Sequence, residues 1–168
     1  MQKNTKRSWC SFGTKVSWSY VMDRNLENRT IILDIDGVLM ADGEKTLSQE
    51  IIEYVTTLKL HNDVVIISNN FSDKRCEYTS KTLGVPWINT PYKKPSTRIM
   101  KYLKYDTTKP LIMIGDKVLT DGIFAKRIDA EAIMLTRRTN VDDRTIIVLT
   151  YIIDDAFYSL VRFFCKAQ

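Results

Sequence analysis

Two aspartates separated by one residue follow a short apolar run near residue 30. Asp34 and Asp36 stand in the sequence Thr-Ile-Ile-Leu-Asp-Ile-Asp-Gly. Side chains two residues apart in an extended chain point to the same side, so these two carboxylates should lie near each other. Adjacent carboxylates repel unless a cation lies between them, and Mg²⁺ takes oxygen ligands while keeping positions for water and a phosphate. The pair predicts a magnesium site that can bind a phosphate.

The two aspartates can divide the chemistry of phosphate hydrolysis between them. Asp34 can attack phosphorus to form an aspartyl phosphate. Asp36 can give a proton to the leaving oxygen and later take one from the attacking water. Gly37 lets the backbone turn tightly beside the phosphate, which makes it a candidate substrate-binding residue. A lone Asp-x-Asp is more often a turn than a catalytic pair, so this interpretation depends on partners elsewhere in the chain.

Further polar residues follow two other apolar runs. Val-Val-Ile-Ile at 64–67 ends in Ser-Asn-Asn at 68–70, and Leu-Ile-Met-Ile at 111–114 ends in Gly-Asp. Ligands of open parallel sheets bind beyond the carboxyl ends of the strands, so loops at these ends can bring distant residues together. We therefore expect one pocket to collect Asp34, Asp36, Ser68, Asn69, Lys94, Asp116 and Asp121.

The elements that must position these residues alternate between strand and helix patterns. The sequence predicts strands at 30–33, 64–67, 111–114 and 132–135, with a short extended piece at 85–88. It predicts helices from Ser48 to about residue 61, and at 73–83, 96–103, 123–128 and 152–164. This alternation predicts an α/β fold with a doubly wound, Rossmann-like parallel sheet, in which the last helix closes the core.

The motifs resemble those of the haloacid dehalogenase superfamily in type and order. Asp34-x-Asp36-Gly-x-Leu resembles its first motif, and Ser68 after a strand resembles its second. Lys94-Pro resembles the third, and Gly-Asp116-x-x-x-x-Asp121 resembles the fourth. The resemblance implies that Asp34, Asp36, Ser68 and Lys94 are catalytic and that Asp34, Asp36, Asp116 and Asp121 hold Mg²⁺. Asn69 and Asn70 can contact substrate or cap the following helix.

The spacing between motifs leaves no room for a cap domain. Such a site suits a large substrate that covers it, or a lid from a neighbouring subunit. Within the superfamily, Ser-Asn-Asn at 68–70, Leu-Gly-Val-Pro at 83–86 and Lys-Pro-Ser at 94–96 resemble the phosphatidylglycerophosphate phosphatase branch. Lys117 and Lys126 stand where that branch commonly has Gln and Asn. The resemblance implies a lipid phosphate as substrate.

Three alternatives remain open. Similar motifs occur in sugar and nucleotide phosphate phosphatases, some of which are capless and complete the site by oligomerisation. A nucleic-acid end phosphatase is supported only by the basic N-terminus. A non-catalytic binding module is opposed by the intact set of motif residues.

Composition and charge set the boundaries of the chain. A length of 168 residues suits one domain. The charge distribution and the position of the motifs predict an N-terminal segment at 1–29 and a phosphatase domain at 30–168, which includes the C-terminal helix. The net charge of +5 lies mostly in the first 30 residues, where tryptophans are interleaved. We interpret this segment first as a solvated tail with a strap that packs on the core, and peripheral contact with an anionic membrane surface is the alternative. Three widely spaced cysteines favour a reducing compartment. We expect a cytoplasmic protein, with membrane association and organelle targeting as open alternatives.

Overall fold

A sheet of four parallel strands organises the chain. The computed structural model describes residues 12–70, 72–139 and 145–166. Its strands are β1 (Thr30–Leu33), β2 (Asp63–Ile66), β3 (Leu111–Gly115) and β4 (Glu131–Met134), in the order β2-β1-β3-β4. Its α-helices are α1 (Trp18–Asp23), α2 (Gln49–His61), α3 (Asp73–Leu83), α4 (Ile123–Arg127) and α5 (Thr145–Lys166). The predicted doubly wound α/β fold is confirmed.

The order of the strands reverses between β1 and β3. Thr30 pairs with Asp63 of β2 on one side and with Leu111 of β3 on the other, so the chain leaves β1 toward one edge and returns to the other. Loops at such a reversal diverge and open a crevice beyond the carboxyl ends of the strands. The residues after β1 and β3 therefore border one crevice.

Both faces of the sheet are covered, which explains why the strands are apolar without alternation. Ile31 and Leu33 of β1 are fully buried on the face that packs with α1, α2 and α3. Ile32 points to the opposite face and packs in a second cluster with Met113 and Phe124. Side chains two residues apart share a face, so β1 supplies both layers of the core.

Local sequence sets the helix boundaries. Ser48 caps α2 by accepting a hydrogen bond from the Ile51 amide, and Ser72 caps α3 by accepting one from the Arg75 amide. Helix α3 ends at Gly84, whose φ of +60° is a left-handed conformation that glycine adopts without a steric penalty. Both helices match the predicted ranges.

Several elements differ from prediction in their bounds or type. Strands β2 and β4 begin and end one residue earlier than expected. The segment predicted as a helix at 96–103 is a 3₁₀ helix at Thr97–Lys101. Its hydrogen bonds join residues three positions apart, as from the Tyr102 amide to the Ile99 carbonyl. This short helix buries Ile99.

Residues 12–29 pack on the rest of the structure. Val16 forms a parallel bridge with Leu135, which extends the sheet beyond β4. Trp18 is 8% exposed, donates its indole N–H to the Val38 carbonyl at 3.2 Å and stacks on Tyr54. These contacts make residues 12–29 a structural part of the sheet edge and of the layer around α2.

The last helix is longer than predicted and only half buried. Helix α5 begins seven residues before the expected start at residue 152. Its inner side carries buried Tyr151 and Asp154, and its later turns pack against Phe12, Val118 and Met134. The helix thus closes part of the core, as expected, and leaves its opposite side exposed. No helix in the described part of the chain is both long and apolar enough to cross a membrane.

The connections between strands contain no cap among the described residues. The chain from β1 to β2 forms a loop and α2. From β2 to β3 it forms α3, the 3₁₀ helix and connecting loops, with Phe71 outside the description. These connections therefore leave the crevice at the carboxyl end of the sheet uncovered.

Candidate active site

Three buried carboxylates meet at the carboxyl end of β1 and β3. Asp34 follows β1, Asp116 follows β3, and Asp121 lies in a π-helical turn at Val118–Gly122. One carboxylate oxygen from each residue lies within 4.8 Å of the other two. The exposed fraction of these residues is 5% or less. The predicted gathering of these three acids is present in the structure.

Lys94 lies between two of the acids. Its Nζ is 2.9 Å from Asp34 Oδ1 and 2.6 Å from Asp121 Oδ1, and its side chain is fully buried. Burial alone would lower the pKa of Lys94, but Asp121 and Asp34 raise it above the usual value. The ammonium therefore stays charged and offsets part of the negative charge of the cluster.

Burial dominates the ionisation of the acids. Loss of hydration raises the pKa of Asp34 to about 7, although Lys94 acts in the opposite direction. The pKa of Asp116 is also raised, first by burial and also by Asp121, against the attraction of Lys117 and Arg137. Bringing these carboxylates together without a bound cation therefore costs free energy.

Two glycines allow the acids to approach the backbone. A Cβ at Gly37, whose φ is +81°, would lie 2.5 Å from Asp116 Oδ2. A Cβ at Gly115 would lie 2.2 Å from Asp121 Cβ. Both distances are far below any real contact, so side chains at these positions would displace the acids. Substrate binding by Gly37 stays a prediction, whereas its contact with Asp116 gives it a structural role in the site.

Asp36 does not join the three-acid cluster. Its Oδ1 accepts a hydrogen bond from Arg75 Nε at 3.0 Å, and its Oδ2 accepts one from Asn70 Nδ2 at 2.7 Å. Arg75 also donates to the carbonyl oxygens of Ala41 and Glu44. The side chain of Asp36 is 20% exposed, more than the other acids. Through these hydrogen bonds Arg75 holds the loop after β1 in place and orients the carboxylate of Asp36.

The residues after β2 build the wall of the crevice. Asn69 accepts a hydrogen bond from the Lys94 amide and donates one to the Lys94 carbonyl, so it fixes the backbone that carries the lysine. Asn70 donates its side-chain amide to Asp36 and accepts from the Ser72 amide. Ser68 Oγ accepts from the Asn70 amide at 3.1 Å and is partly exposed. Its own O–H can still donate toward the crevice.

Arg137 is a site residue that the sequence patterns did not single out. Its Nε donates to Asp116 Oδ2 at 2.6 Å, and its guanidinium stacks 3.9 Å from the ring centre of Tyr151. Lys117 lies 3.6 Å from the other oxygen of Asp116 and also faces Tyr151. Arg137 comes three residues after β4. Its position just beyond a strand end is the signal that also marks the other motifs.

Helix α5 holds the turn that carries Asp121. Asp154 is 1% exposed, and its Oδ1 accepts a hydrogen bond from the Leu119 amide at 2.8 Å. Its Oδ2 lies 3.6 Å from Arg137 Nη2 and 3.8 Å from Lys15 Nζ. The C-terminal helix is therefore connected through one carboxylate to both the fourth motif and Arg137.

The donor set fits a divalent cation that prefers oxygen ligands. Asp34, Asp116 and Asp121 supply oxygens, and Asp116 Oδ1 is buried and accepts no hydrogen bond from the described residues. A buried acceptor without a donor is costly unless a cation or water satisfies it. These three residues would hold the ion, whereas the carboxylate of Asp36, also predicted as a ligand, is occupied by Arg75 and Asn70.

A separate cavity lies at the opposite end of the sheet. It is about 830 Å³ in volume and is lined by Thr30 and Asp63, at the beginning of β1 and β2, together with residues 102–106. It shares no residue with the acidic cluster, so it has no part in the chemistry of the three acids.

Comparisons with known proteins agree with this geometry. The family model described as "Mitochondrial PGP phosphatase" matches residues 12–140, more than half of the chain. The protein named "Probable phosphatase YqeG" from Bacillus subtilis (strain 168) is 28% identical over 108 residues, which cover 62% of this chain and 61% of that relative, less than two thirds of its length. No solved structure gives a significant match. The resemblance to the phosphatidylglycerophosphate phosphatase branch of the haloacid dehalogenase superfamily is confirmed, and the chain belongs to the PGP phosphatase family.

Proposed function

We propose that this chain is a magnesium-dependent phosphomonoester hydrolase that works through an aspartyl phosphate on Asp34. One observation carries the proposal: Asp34 lies at the reversal of the sheet, within a buried cluster of three acids and in contact with the buried ammonium of Lys94. A carboxylate in such surroundings is both a metal ligand and a nucleophile. The family membership supports the same reaction class.

The charges of the site support a cation and a phosphate binding together. The three acids face three basic groups, Lys94, Lys117 and Arg137. A phosphate monoester brings about two negative charges near neutral pH, and a divalent cation would offset them. When bound, Mg²⁺ supplies Lewis-acid stabilisation of the phosphoryl oxygens. Substrate and ion together then leave the buried site close to neutral.

The contacts of Asp34 favour one of its oxygens as the nucleophile. Oδ1 accepts from the Ile35 amide at 2.9 Å and pairs with Lys94. We assign the attack on phosphorus to Oδ2, which forms the new O–P bond while the ester oxygen leaves with the electrons of the broken bond. Lys94 keeps the carboxylate oriented and stabilises negative charge that develops on the phosphoryl group. To Ser68 we assign the donation of its hydroxyl proton to a phosphoryl oxygen.

Asp36 is the proposed general acid and base. It protonates the leaving oxygen in the first half-reaction and takes a proton from the attacking water in the second. Arg75 and Asn70 hold the carboxyl group in one orientation. Arg75 is therefore a positioning residue for proton transfer, a role that the sequence did not favour over a solvated helix position.

We infer that the substrate is a lipid phosphate, with phosphatidylglycerophosphate as the specific candidate. The described connections between the strands supply no cap over the crevice, so the substrate must exclude water itself or be bound at a surface. The family description names PGP as the substrate. It also names mitochondria, which favours organelle targeting over our cytoplasmic expectation.

Phosphate release tests the function. Purified protein is given phosphatidylglycerophosphate in mixed micelles, with and without Mg²⁺, beside Asp34→Asn and a panel of soluble sugar and nucleotide phosphates. We expect selective, magnesium-dependent turnover of the lipid and a loss of about 10³-fold or more in Asp34→Asn. Activity that persists in Asp34→Asn would refute the mechanism. Turnover of the soluble compounds alone would keep the mechanism and reject the lipid substrate.

A capless sugar or nucleotide phosphatase with a lid from a neighbouring subunit is the second candidate. The uncovered crevice supports it equally well on geometry. Gel filtration at assay concentration separates the two: activity that falls on dilution together with dissociation of an oligomer would favour this alternative. Activity on the lipid from a species that stays monomeric would exclude it.

A further inference from the structure

One side of α5 presents a continuous apolar surface to solvent. We call this surface the outer face and define it by six residues, each between 51% and 69% exposed: Leu149, Ile152, Ile153, Leu160, Phe163 and Phe164. At about 100° per residue, these positions fall within an arc of about 120° of the helix circumference. Large exposed apolar surfaces on globular proteins mark places where something else binds.

No charged side chain in the described part of α5 falls within this arc. The charged residues of the same stretch lie on the side that packs against the domain or on its flank. Asp154 and Asp155 pair there with Lys15 and Arg137, and Arg162 faces the ring of Tyr158. These charged residues are thus confined to the sides of α5 away from the outer face. Their segregation gives α5 the character of a helix that lies in the plane of an interface.

We propose that the outer face of α5 docks on an anionic lipid surface. A helix of this kind buries its apolar side at the boundary between headgroups and acyl chains, and its association strengthens with buried apolar area and with nearby positive charge. The docking that we propose is peripheral, with α5 lying in the plane of the lipid surface.

The charge of the chain distinguishes a lipid surface from a second copy. Residues 1–11 contain Lys3, Lys6 and Arg7 and no acidic residue, and the whole chain carries a net charge of +5. This sequence joins the structure beside α5, where the Tyr158 hydroxyl donates to the Gly13 carbonyl at 2.8 Å. Two copies meeting at α5 would bring like charges together, whereas an anionic surface would attract them.

The same helix borders the acidic cluster. Tyr151, on its inner side, lies 4.9 Å from Lys117 Nζ, which in turn is 3.6 Å from Asp116 Oδ1. A lipid surface on the outer face would therefore lie one helix diameter from the crevice. That a lipid phosphate then reaches Asp34 rests on the proposed function, but docking itself does not.

Vesicle sedimentation tests the docking. The full-length protein is mixed with phosphatidylcholine vesicles, with and without phosphatidylglycerol, and the bound fraction is measured. We compare Ile152→Gln/Phe163→Gln with the control Leu60→Gln/Tyr20→Gln, which replaces two exposed apolar residues on other helices. We expect stronger binding to vesicles with phosphatidylglycerol, and about thirtyfold weaker binding by the α5 variant. The control should bind within about twofold of wild type.

Two further measurements separate the outcomes. Hydrolysis of p-nitrophenyl phosphate reports the soluble activity and the fold, and both double variants should retain it. If the α5 pair fails to fold, Phe163→Gln alone, at the most exposed of the six positions, should weaken binding about fivefold. Vesicle binding without turnover of phosphatidylglycerophosphate in the same vesicles would support docking and reject the lipid substrate.

Several results would overturn the proposal. Wild-type protein that stays in the supernatant with phosphatidylglycerol vesicles would do so, as would equal binding by the α5 variant and wild type. A wild-type oligomer that the α5 variant converts to monomers, with vesicle binding unchanged, would assign the outer face to contacts between copies instead.

Discussion

At the scale of single residues, the ionisation of Asp34 links protons, metal and stability. Its pKa rises from an ordinary value of 3.8 to about 7, first because it is buried. Between these two values the folded state binds more protons than the unfolded state, so the contribution of Asp34 to stability falls as pH rises. At the site that we propose, Mg²⁺ would compete with those protons for the acids, so it should restore stability most where the proton has left.

The measurement is a set of melting temperatures at pH 5 and pH 8 in chelator or excess Mg²⁺. In chelator, Asp34→Asn should gain stability over wild type as pH rises through about 7, because the amide is never charged. Mg²⁺ should raise the wild-type melting temperature more at pH 8 than at pH 5, and raise that of Asp34→Asn less. Glu53→Gln, an exposed change on α2, serves as the control. An equal effect of Mg²⁺ at both pH values would contradict a shared site for proton and ion.

The role proposed for Asp36 predicts that its importance depends on the leaving group of the substrate. An alkyl alcohol needs a proton to leave, whereas p-nitrophenolate does not, so general acid catalysis matters only for the first. Asp36→Asn should lower turnover of an alkyl phosphate by about 10²–10⁴-fold, with a much smaller effect on formation of the phosphoenzyme from p-nitrophenyl phosphate. Burst kinetics measure that first step. Arg75→Lys should shift the two substrates in the same unequal way but less. Equal losses for both substrates would remove Asp36 from proton transfer.

At the scale of elements, α5 supports the turn that carries Asp121. Asp154 accepts from the Leu119 amide inside that turn, whereas neighbouring Asp155 is 53% exposed on its side chain and forms ion pairs with Lys15 and Arg137. Asp154→Ala should cost about 1–3 kcal/mol because it leaves a buried amide without an acceptor. Asp155→Ala should cost less than about 1 kcal/mol.

Denaturant unfolding with and without Mg²⁺ measures both effects. The stabilisation by Mg²⁺ should shrink in Asp154→Ala, because the turn that carries Asp121 is no longer held. If Asp154→Ala lowers stability but leaves the effect of Mg²⁺ unchanged, the helix is only packed beside the turn and does not support it.

At the scale of the whole molecule, residues 12–29 pack on the sheet edge and on α2, as the interpretation of this segment as a strap expects. Trp18 fills a pocket beside Tyr54 and bonds to the Val38 carbonyl, four residues after Asp34. Trp18→Ala should therefore cost about 3–5 kcal/mol of stability. Tyr20→Ala, at a 51% exposed position on the same helix, should change it by no more than about 0.5 kcal/mol. A Trp18→Ala protein as stable as wild type would show that the packing of residues 12–29 does not contribute to the stability of the fold.

Local sequence patterns were sufficient to predict the sheet, its order of elements and the identity of the central acids. Buried parallel strands are continuously apolar, serines cap helices, and a polar residue directly after a strand lies at the carboxyl end of the sheet. Asp34 and Asp116 could be selected on this basis, whereas Lys94 and Asp121 were selected through their resemblance to the family motifs. Their convergence follows once the strands are parallel.

Which partners the other side chains of the site contact could be learned only from the folded structure. The separation of Asp36 from the other acids depends on Arg75, which is 39 residues away in sequence, and Arg137 reaches Asp116 across 21 residues. The two sides of α5 could not be assigned in advance either, because an amphipathic pattern gives a helix an apolar side without telling which partner covers it. Such contacts join residues far apart in the chain, and their energies depend on burial and orientation that exist only after folding.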